Sequence, residues 1–239
     1  MPVYNEEKTL AMILDKVLNI KWGVSLEMII VNDCSTDSSF KIMQSYQKRF
    51  KQIKILSNHK NIGKSQTVKR GIISSTGDLV AIQDSDLEYD PNDLLKILKL
   101  FHKKDIDAVY GNRFGRNNKI IYYSNWFGNR SLSMLSSLFT YLRARMWTSD
   151  METGYKVIKG FIFRDIAKTI DAKTSFGFEP EVTAKLSKYK IKEEGNRHIK
   201  FLQFPINYYP RTIAEGKKMK GLSDGIKALG EILRYNLFN

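Results

Sequence analysis

Short β-branched runs alternate with amphipathic helical patterns through the first half of this chain, and that alternation narrows the possible folds more than any other feature. The segments "EMIIV", "IKIL", "DLVAIQD" and "DAVYG" read as brief buried strands. Between them lie "EEKTLAMILDKVL", "DSSFKIMQSYQKRF", "SQTVKRGIISS" and "PNDLLKILKLFHKK", each with apolar residues at helical spacing. In the last of these Pro91 suits a first helical turn, and Leu94, Leu95, Ile97, Leu98 and Phe101 make one apolar face. Strands joined through helices by short connections predict an α/β fold, a mostly parallel sheet with helices on both faces.

The second half changes character. "WFGNRSLSMLSSLFTYLRARMW" reads as a helix with Phe127, Leu132, Leu135, Phe139 and Leu142 on one side, either a core helix or one resting on a bilayer. A strand is expected around "IKFLQFPINYY", and "SDGIKALGEILRYNLFN" reads as a closing helix capped by Ser223. No Pro/Gly-rich linker or repeat interrupts the 239 residues, so one domain is expected over 1–239.

Charge points to the partners. The chain carries 39 basic and 25 acidic residues, a balance of +14, which favours nucleotide phosphates, acidic lipid headgroups or nucleic acid. No nucleic-acid-reading motif is present, so nucleic acid is not expected. A single cysteine, Cys34, excludes an internal disulfide framework and fits a reducing compartment. "MPVYNEEKTL" lacks the basic start and apolar core of a signal peptide, and no apolar run approaches the roughly 20 residues that cross a bilayer.

In an open α/β sheet, ligands bind beyond the carboxyl ends of the strands. Three loops expected there are unusual: Asn32-Asp33-Cys34-Ser35-Thr36-Asp37, "HKNIGKSQ" with Gly63 and Lys64 entering a helix, and Asp84-Ser85-Asp86. Each alone reads as a turn or a helix cap. Together they collect acid at one sheet edge, and residues i and i+2 at a strand end can aim two oxygens at one point. A hard cation such as Mg²⁺ takes one or two carboxylates and completes its shell with phosphate and water.

Taken in order, "PVYNEE", "VNDCSTDSS", "NIGKSQTVKRGI", "GDLVAIQDSDLEYDP", "YGNRF", "DMETGYKV" and "FGFEPE" resemble the family 2 glycosyltransferases of the GT-A fold. The likeness is strongest to the branch that moves a sugar from a nucleotide diphosphate onto a polyprenyl or dolichyl phosphate. It implies a single GT-A (Rossmann-like) domain, with residues 1–115 as a nucleotide-binding half and 116–239 as an acceptor-side half. Position by position, it places Pro2, Tyr4 and Glu6 around the nucleoside and Val31 and Asp33 at base and ribose. Asp84, Ser85 and Asp86 fall at the diphosphate and its metal, Mg²⁺ or Mn²⁺. Glu88, where the branch usually has glutamine, is a further metal neighbour. Arg113, Arg211 and Lys217 match residues that hold donor and acceptor phosphates, with Arg130 a third arginine of that kind. Asn32 and Cys34 replace the family's usual Asp and Gly, and the apolar strand that normally precedes "PVYNEE" is cut short at Met1.

The resemblance implies a metal-dependent, inverting hexosyl transfer from a UDP- or GDP-sugar to a polyprenyl phosphate, by a cytoplasmic protein peripheral to a membrane. A phosphate acceptor is already ionised, so Asp86, Arg113 and Arg211 would act by alignment and charge. A saccharide hydroxyl acceptor would instead need a base, for which Asp150 or Glu152 is the candidate. A nucleotidyltransferase on a related sheet is a further alternative. Oligomeric state is left open.

Overall fold

The computed structural model describes residues 1–171, 177–212 and 222–238, with side chains from 225 onward in the last stretch. Its strands form two neighbouring sheets. In the first, β1 (Pro2–Val3), β2 (Met28–Asn32) and β3 (Ile53–Ser57) lie in the order β1-β2-β3 and run parallel, with Pro2 opposite Val31 and Met28 opposite Ile53. The second has the order β4-β6-β5-β9, from β4 (Leu79–Ala81), β5 (Ala108–Asn112), β6 (Lys156–Lys159) and β9 (Phe201–Pro205). There β5 and β9 are parallel and β6 runs against both its neighbours. A two-residue hairpin, β7 (Lys190–Ile191) with β8 (Arg197–His198), stands apart.

Helices cover both faces, as the alternation predicts. α1 (Leu10–Leu18) and α2 (Ser39–Arg49) pack on the first sheet, where Leu10, Ile13, Leu14, Ile30 and Met43 are fully buried. α3 (Lys64–Ile73), α6 (Gly160–Thr169) and α7 (Phe178–Lys188) share a core with β5 and β6 around Tyr110, Ile158, Phe163 and Val182. α4 (Pro91–Lys103) closes the opposite face over Ile97, Val109, Tyr155 and Val157. Asp90 caps α4, its side chain accepting from the Asn92 N–H at 3.0 Å, with Pro91 in the first turn. α1 starts later than the helical pattern because Glu6 and Glu7 serve the loop before it: the Glu7 N–H donates to Asp37 Oδ2 and the Glu7 side chain accepts from the Ser38 N–H.

β1 has two residues, and an apolar groove of about 480 Å³ runs between the first sheet and β4, lined by Trp22, Met28, Ile29, Leu79 and Val80. The Met1 ammonium lies in this region and donates to the Ile29 carbonyl at 2.8 Å; burial pushes its pKa down to about 6.

α5 (Tyr123–Ala144) does not fit the core-helix alternative read for this segment. Phe127 and Leu142 are 68% and 72% exposed, whereas the residues turned fully inward are Ser133, Ser136, Ser137 and Thr140. The inner side is held by hydroxyls: Ser137 Oγ donates to the Thr148 carbonyl at 2.6 Å, and Thr140 Oγ1 to that of Met146 at 2.7 Å. α7 and α8 (Leu222–Leu233) pack alongside.

Candidate active site

Loops at the carboxyl ends of β1, β2 and β4 meet in one place, and each carries a residue in the left-handed region: Asn5 at φ 55°, Cys34 at φ 62° and Leu87 at φ 63°. The first two loops interlock. The Asn5 N–H donates to Ser35 Oγ, the Thr36 N–H to Asn5 Oδ1, and the Glu6 N–H to Ser39 Oγ. Asp33 is buried and spends its carboxylate on the next loop, accepting from Asn58 Nδ2 and the Ile62 N–H on Oδ1 and the Gly63 N–H on Oδ2. It thereby sets the turn that delivers Lys64 at the start of α3.

Lys64 reaches Asp84, with Nζ 3.0 Å from Oδ2. Ser85 is buried and donates to the Pro2 carbonyl at 3.1 Å, pinning the Asp84–Asp86 turn to β1. Arg211 arrives from the far end of the chain and lodges among three carboxylates: Asp86 at 2.9 Å, Glu88 at 3.5 Å and Glu6 at 3.6 Å. The crowding shows in Asp86. Burial first, then the charges of Asp84 and Glu88, push its carboxyl up to about 7, with Arg211 and Lys64 pulling the other way.

A second basic centre adjoins the first. Arg113 follows β5 and binds Asp150 in a fork, Nε to Oδ2 at 2.8 Å and Nη2 to Oδ1 at 2.7 Å, while its own N–H also donates to Oδ2. Asp150 is fully buried. A carboxylate so placed orients a guanidinium: it is out of reach of solvent and both its oxygens accept from Arg113, which weighs against the base role that a hydroxyl acceptor would ask of Asp150. Tyr208 links the two centres. Its hydroxyl donates to Glu88 Oε2 at 2.9 Å, and the Arg113 guanidinium lies 5.1 Å from its ring centroid. Beyond Arg113 opens a cavity of about 340 Å³, lined by Arg116, Lys119, Arg130, Phe114 and Trp126.

The turn before β6 brings a third group of charges to the same place. Gly154 lies so close to Asp84 that a Cβ there would meet Oδ2 at 2.7 Å, so any side chain at 154 would push the Asp84 carboxylate aside. Its N–H donates to the Tyr89 hydroxyl at 2.9 Å. Glu152 has an Oε1 that is buried without a hydrogen-bond partner, and burial together with Glu179 pushes its carboxyl up to about 8. Lys156, fully buried beneath it, is pushed down by burial against the pull of Glu179 and Glu152.

The structure therefore gathers Pro2, Glu6, Asp84, Ser85, Asp86, Glu88 and Arg211 at one centre, with Arg113 and Asp150 at the next. Val31 is buried within β2 beside Pro2, and Tyr4 stands partly exposed at the mouth. Arg130 stacks 5.6 Å from the Phe114 ring at the cavity wall. Lys217 lies outside the described residues. Sequence reasoning passed over Tyr208 and Lys156, and gave Lys64 and Glu179 no role. Lys64 had a signal, since it follows a glycine at a helix start; an isolated tyrosine in "INYYP" has none.

The donor set fits a hard divalent cation. Three acidic side chains lie within five residues, Asp86 is pushed up by burial and then by Asp84 and Glu88, and guanidinium and ammonium groups already stand beside the cluster. Among the described residues no three His, Cys, Asp or Glu converge tightly enough to hold an ion unaided. A cation here would draw further oxygens from substrate or water.

Comparison with known proteins places these features. The family model described as glycosyl transferase family 2 matches residues 1–168. An uncharacterized protein of Methanocaldococcus jannaschii is 24% identical over 229 residues, 84% of this chain and 97% of that protein. A dolichyl-phosphate beta-glucosyltransferase of Dictyostelium discoideum is 26% identical, covering 98% of this chain and 72% of that protein. The dolichol-phosphate mannosyltransferase of Pyrococcus furiosus is 27% identical over 126 residues, so the match takes in 53% of this chain and only 34% of that protein. Glucosyl-3-phosphoglycerate synthase of Mycobacterium tuberculosis superposes with a TM-score of 0.68 at 15% identity, over 100% of this chain and 80% of that one. Its complex with Mn²⁺, UDP and glucosyl-3-phosphoglycerate gives a TM-score of 0.66 at 15% identity, over 98% and 77% of the two chains. Likeness at that identity is likeness of fold.

Proposed function

The chain belongs to glycosyl transferase family 2, and from that premise we propose that it moves a hexose from a nucleotide-diphosphate sugar to a polyprenyl or dolichyl phosphate, inverting the anomeric carbon. The observation that carries the reading is the pairing of two centres through Tyr208: a crowded carboxylate cluster on one side and the Arg113 cavity on the other. The cluster suits a cation with a diphosphate, and the cavity suits an anion with an apolar tail. Relatives named for transfer to dolichyl phosphate support the same acceptor class.

In this reading residues 1–115 supply most of the donor site and the rest most of the acceptor site, with Arg113 and Arg211 each serving the other half. The loops carrying Tyr4, Glu6 and Asp33 form the nucleoside pocket, with Val31 in the strand behind. Asp84 and Asp86, with Glu88 beside them, would hold Mg²⁺ or Mn²⁺, which when bound screens the diphosphate and stabilises it as it departs. Arg113, aimed by Asp150, and the cavity arginines Arg116 and Arg130 bind the acceptor phosphate and bring its oxygen in line behind the sugar. That oxygen forms a bond to the anomeric carbon while the bond to the diphosphate breaks, and the electron pair leaves with the nucleoside diphosphate. Arg211 supplies positive charge between Asp86, Glu88 and Glu6; a cation held by Asp86 and Glu88 would supply that charge instead, and the guanidinium would serve the phosphates. No base is required, because the attacking phosphate is already ionised. An acceptor of this kind places the working protein at a membrane face.

Incubation with labelled UDP- and GDP-sugars and polyprenyl phosphate tests this. The expected product is an acid-labile lipid-linked sugar with release of nucleoside diphosphate, abolished by EDTA and restored by Mn²⁺ or Mg²⁺. Release of pyrophosphate, transfer only to a saccharide hydroxyl, or transfer indifferent to EDTA would each overturn it.

A further inference from the structure

α5 turns its apolar side to the outside. Tyr123, Phe127, Met134, Leu138 and Leu142 are 73%, 68%, 65%, 52% and 72% exposed. Their spacings of four, seven, four and four put them in one line along the helix. A helix on a water-facing surface ordinarily buries such a line and shows its polar side. Here the buried side is Ser133, Ser136, Ser137 and Thr140, with bonds from Ser137 and Thr140 to the 146–148 backbone and from the Met151 N–H to Ser133 Oγ. The fold thus leaves these five large side chains mostly outside its packing, while Leu132, Leu135 and Phe139 are half-buried.

Charge names the occupant. From Arg113 to Ser149 the chain has six basic residues and no acidic one. Arg116, Lys119 and Arg130 line the cavity at the N-terminal end of α5, and Arg145 closes the other end with its guanidinium 5.1 Å from the Tyr141 ring. Trp147 follows, 42% exposed. Arg113 is paired with Asp150 and Arg143 bonds inward to Ser187 and Asn236, so a second copy laid on this face would set the exposed Arg116, Lys119, Arg130 and Arg145 against the same four cations. An apolar stripe with basic ends and flanking aromatics is the pattern of a helix lying in a headgroup layer. We propose that the outward face of α5 is a docking surface for a bilayer containing anionic lipid, with the stripe in the acyl boundary and the arginines at the phosphates. The cavity adjoins the same helix through Tyr122, Asn125 and Trp126, so docking would hold its mouth at the depth of lipid phosphates. The proposal rests on the proposed function only for what enters that mouth.

The test uses the whole chain and flotation with phosphatidylcholine vesicles, with and without phosphatidylglycerol, lacking polyprenyl phosphate and donor. The protein is expected to float with the anionic vesicles and to be released by salt. The triple variant Phe127→Asp, Leu138→Asp, Leu142→Asp should lose about ten-fold or more in partition with an unchanged melting temperature. Phe127→Ser with Leu142→Ser, a gentler pair, should lose less in the same direction. Failure of the parent protein to float, equal flotation of the variants, or a dimer in solution that the variants dissolve would overturn the surface. Sugar transfer to a detergent-dispersed short-chain acceptor, measured separately, tells the two ideas apart. Transfer without flotation sinks only the docking face; flotation without transfer sinks only the enzymatic reading.

Discussion

Asp86 holds its proton unusually long for an aspartate, because it is buried beside Asp84 and Glu88. Its folded-state pKa of about 7 stands above the ordinary 3.8, so between those values the unfolded chain has given up a proton that the folded chain keeps. Stability therefore falls as pH rises from about 4 to about 7. In EDTA the melting temperature should decline across that window, and Asp86→Asn should lessen the decline while abolishing transfer, the remainder belonging to Glu152, whose carboxyl is pushed up to about 8. A slope unchanged by the substitution would show that Asp86 does not titrate there. Asp150 makes a contrasting case. Asp150→Asn leaves Arg113 without its fork, and breaking a buried ion pair costs about 3–5 kcal/mol. That corresponds to a fall of roughly 10 °C in melting temperature for a chain of this size. A base with no structural duty would give inactivity with an unchanged melt, so the melt separates the two roles. The sequence had both aspartates in view but not their difference: Asp84 and Asp86 announce themselves by spacing, while the partner of Asp150 lies 37 residues away and only packing brings it near.

At the scale of elements, the strands and helices of the first half were legible because each segment carries its own period and stop signals. The first sheet is parallel as expected, and α4 begins at Pro91 as its cap requires. β6 was harder to foresee, since its antiparallel course is decided by the neighbours it fits between and not by anything within "GYKV". The reading of α5 stayed two-sided because helical period identifies an apolar side without saying whether that side faces in. The groove beside the two-residue β1 gives a third prediction. Adding four or five β-branched residues ahead of Met1 would continue β1 between β2 and β4, fill apolar space and remove a buried ammonium. Each Val or Ile so buried is worth about 1.5–3 kcal/mol, so the extended chain should melt several degrees higher. An extension that leaves the melt unchanged would mean that the added residues do not enter the groove.

For the molecule as a whole, the candidate site is an assembly of loops from residue 2 to residue 211, which no local pattern could specify. Ordered motifs gave most of it; Tyr208, the piece that joins the two halves, came only from folding. If the donor site is built by Glu6, Asp33 and the acidic cluster together, nucleoside diphosphate and Mn²⁺ should stabilise the protein cooperatively. The rise in melting temperature with both should exceed the sum of the rises with each, because each completes the other's shell. Additive shifts would indicate separate sites. Among the described residues no helix is long and apolar enough to cross a membrane.

The hydroxyl-lined underside of α5 separates two tasks that most helices combine. Because Tyr123, Phe127, Met134, Leu138 and Leu142 stand mostly outside the packing, polar substitutes at those five positions should leave the architecture intact.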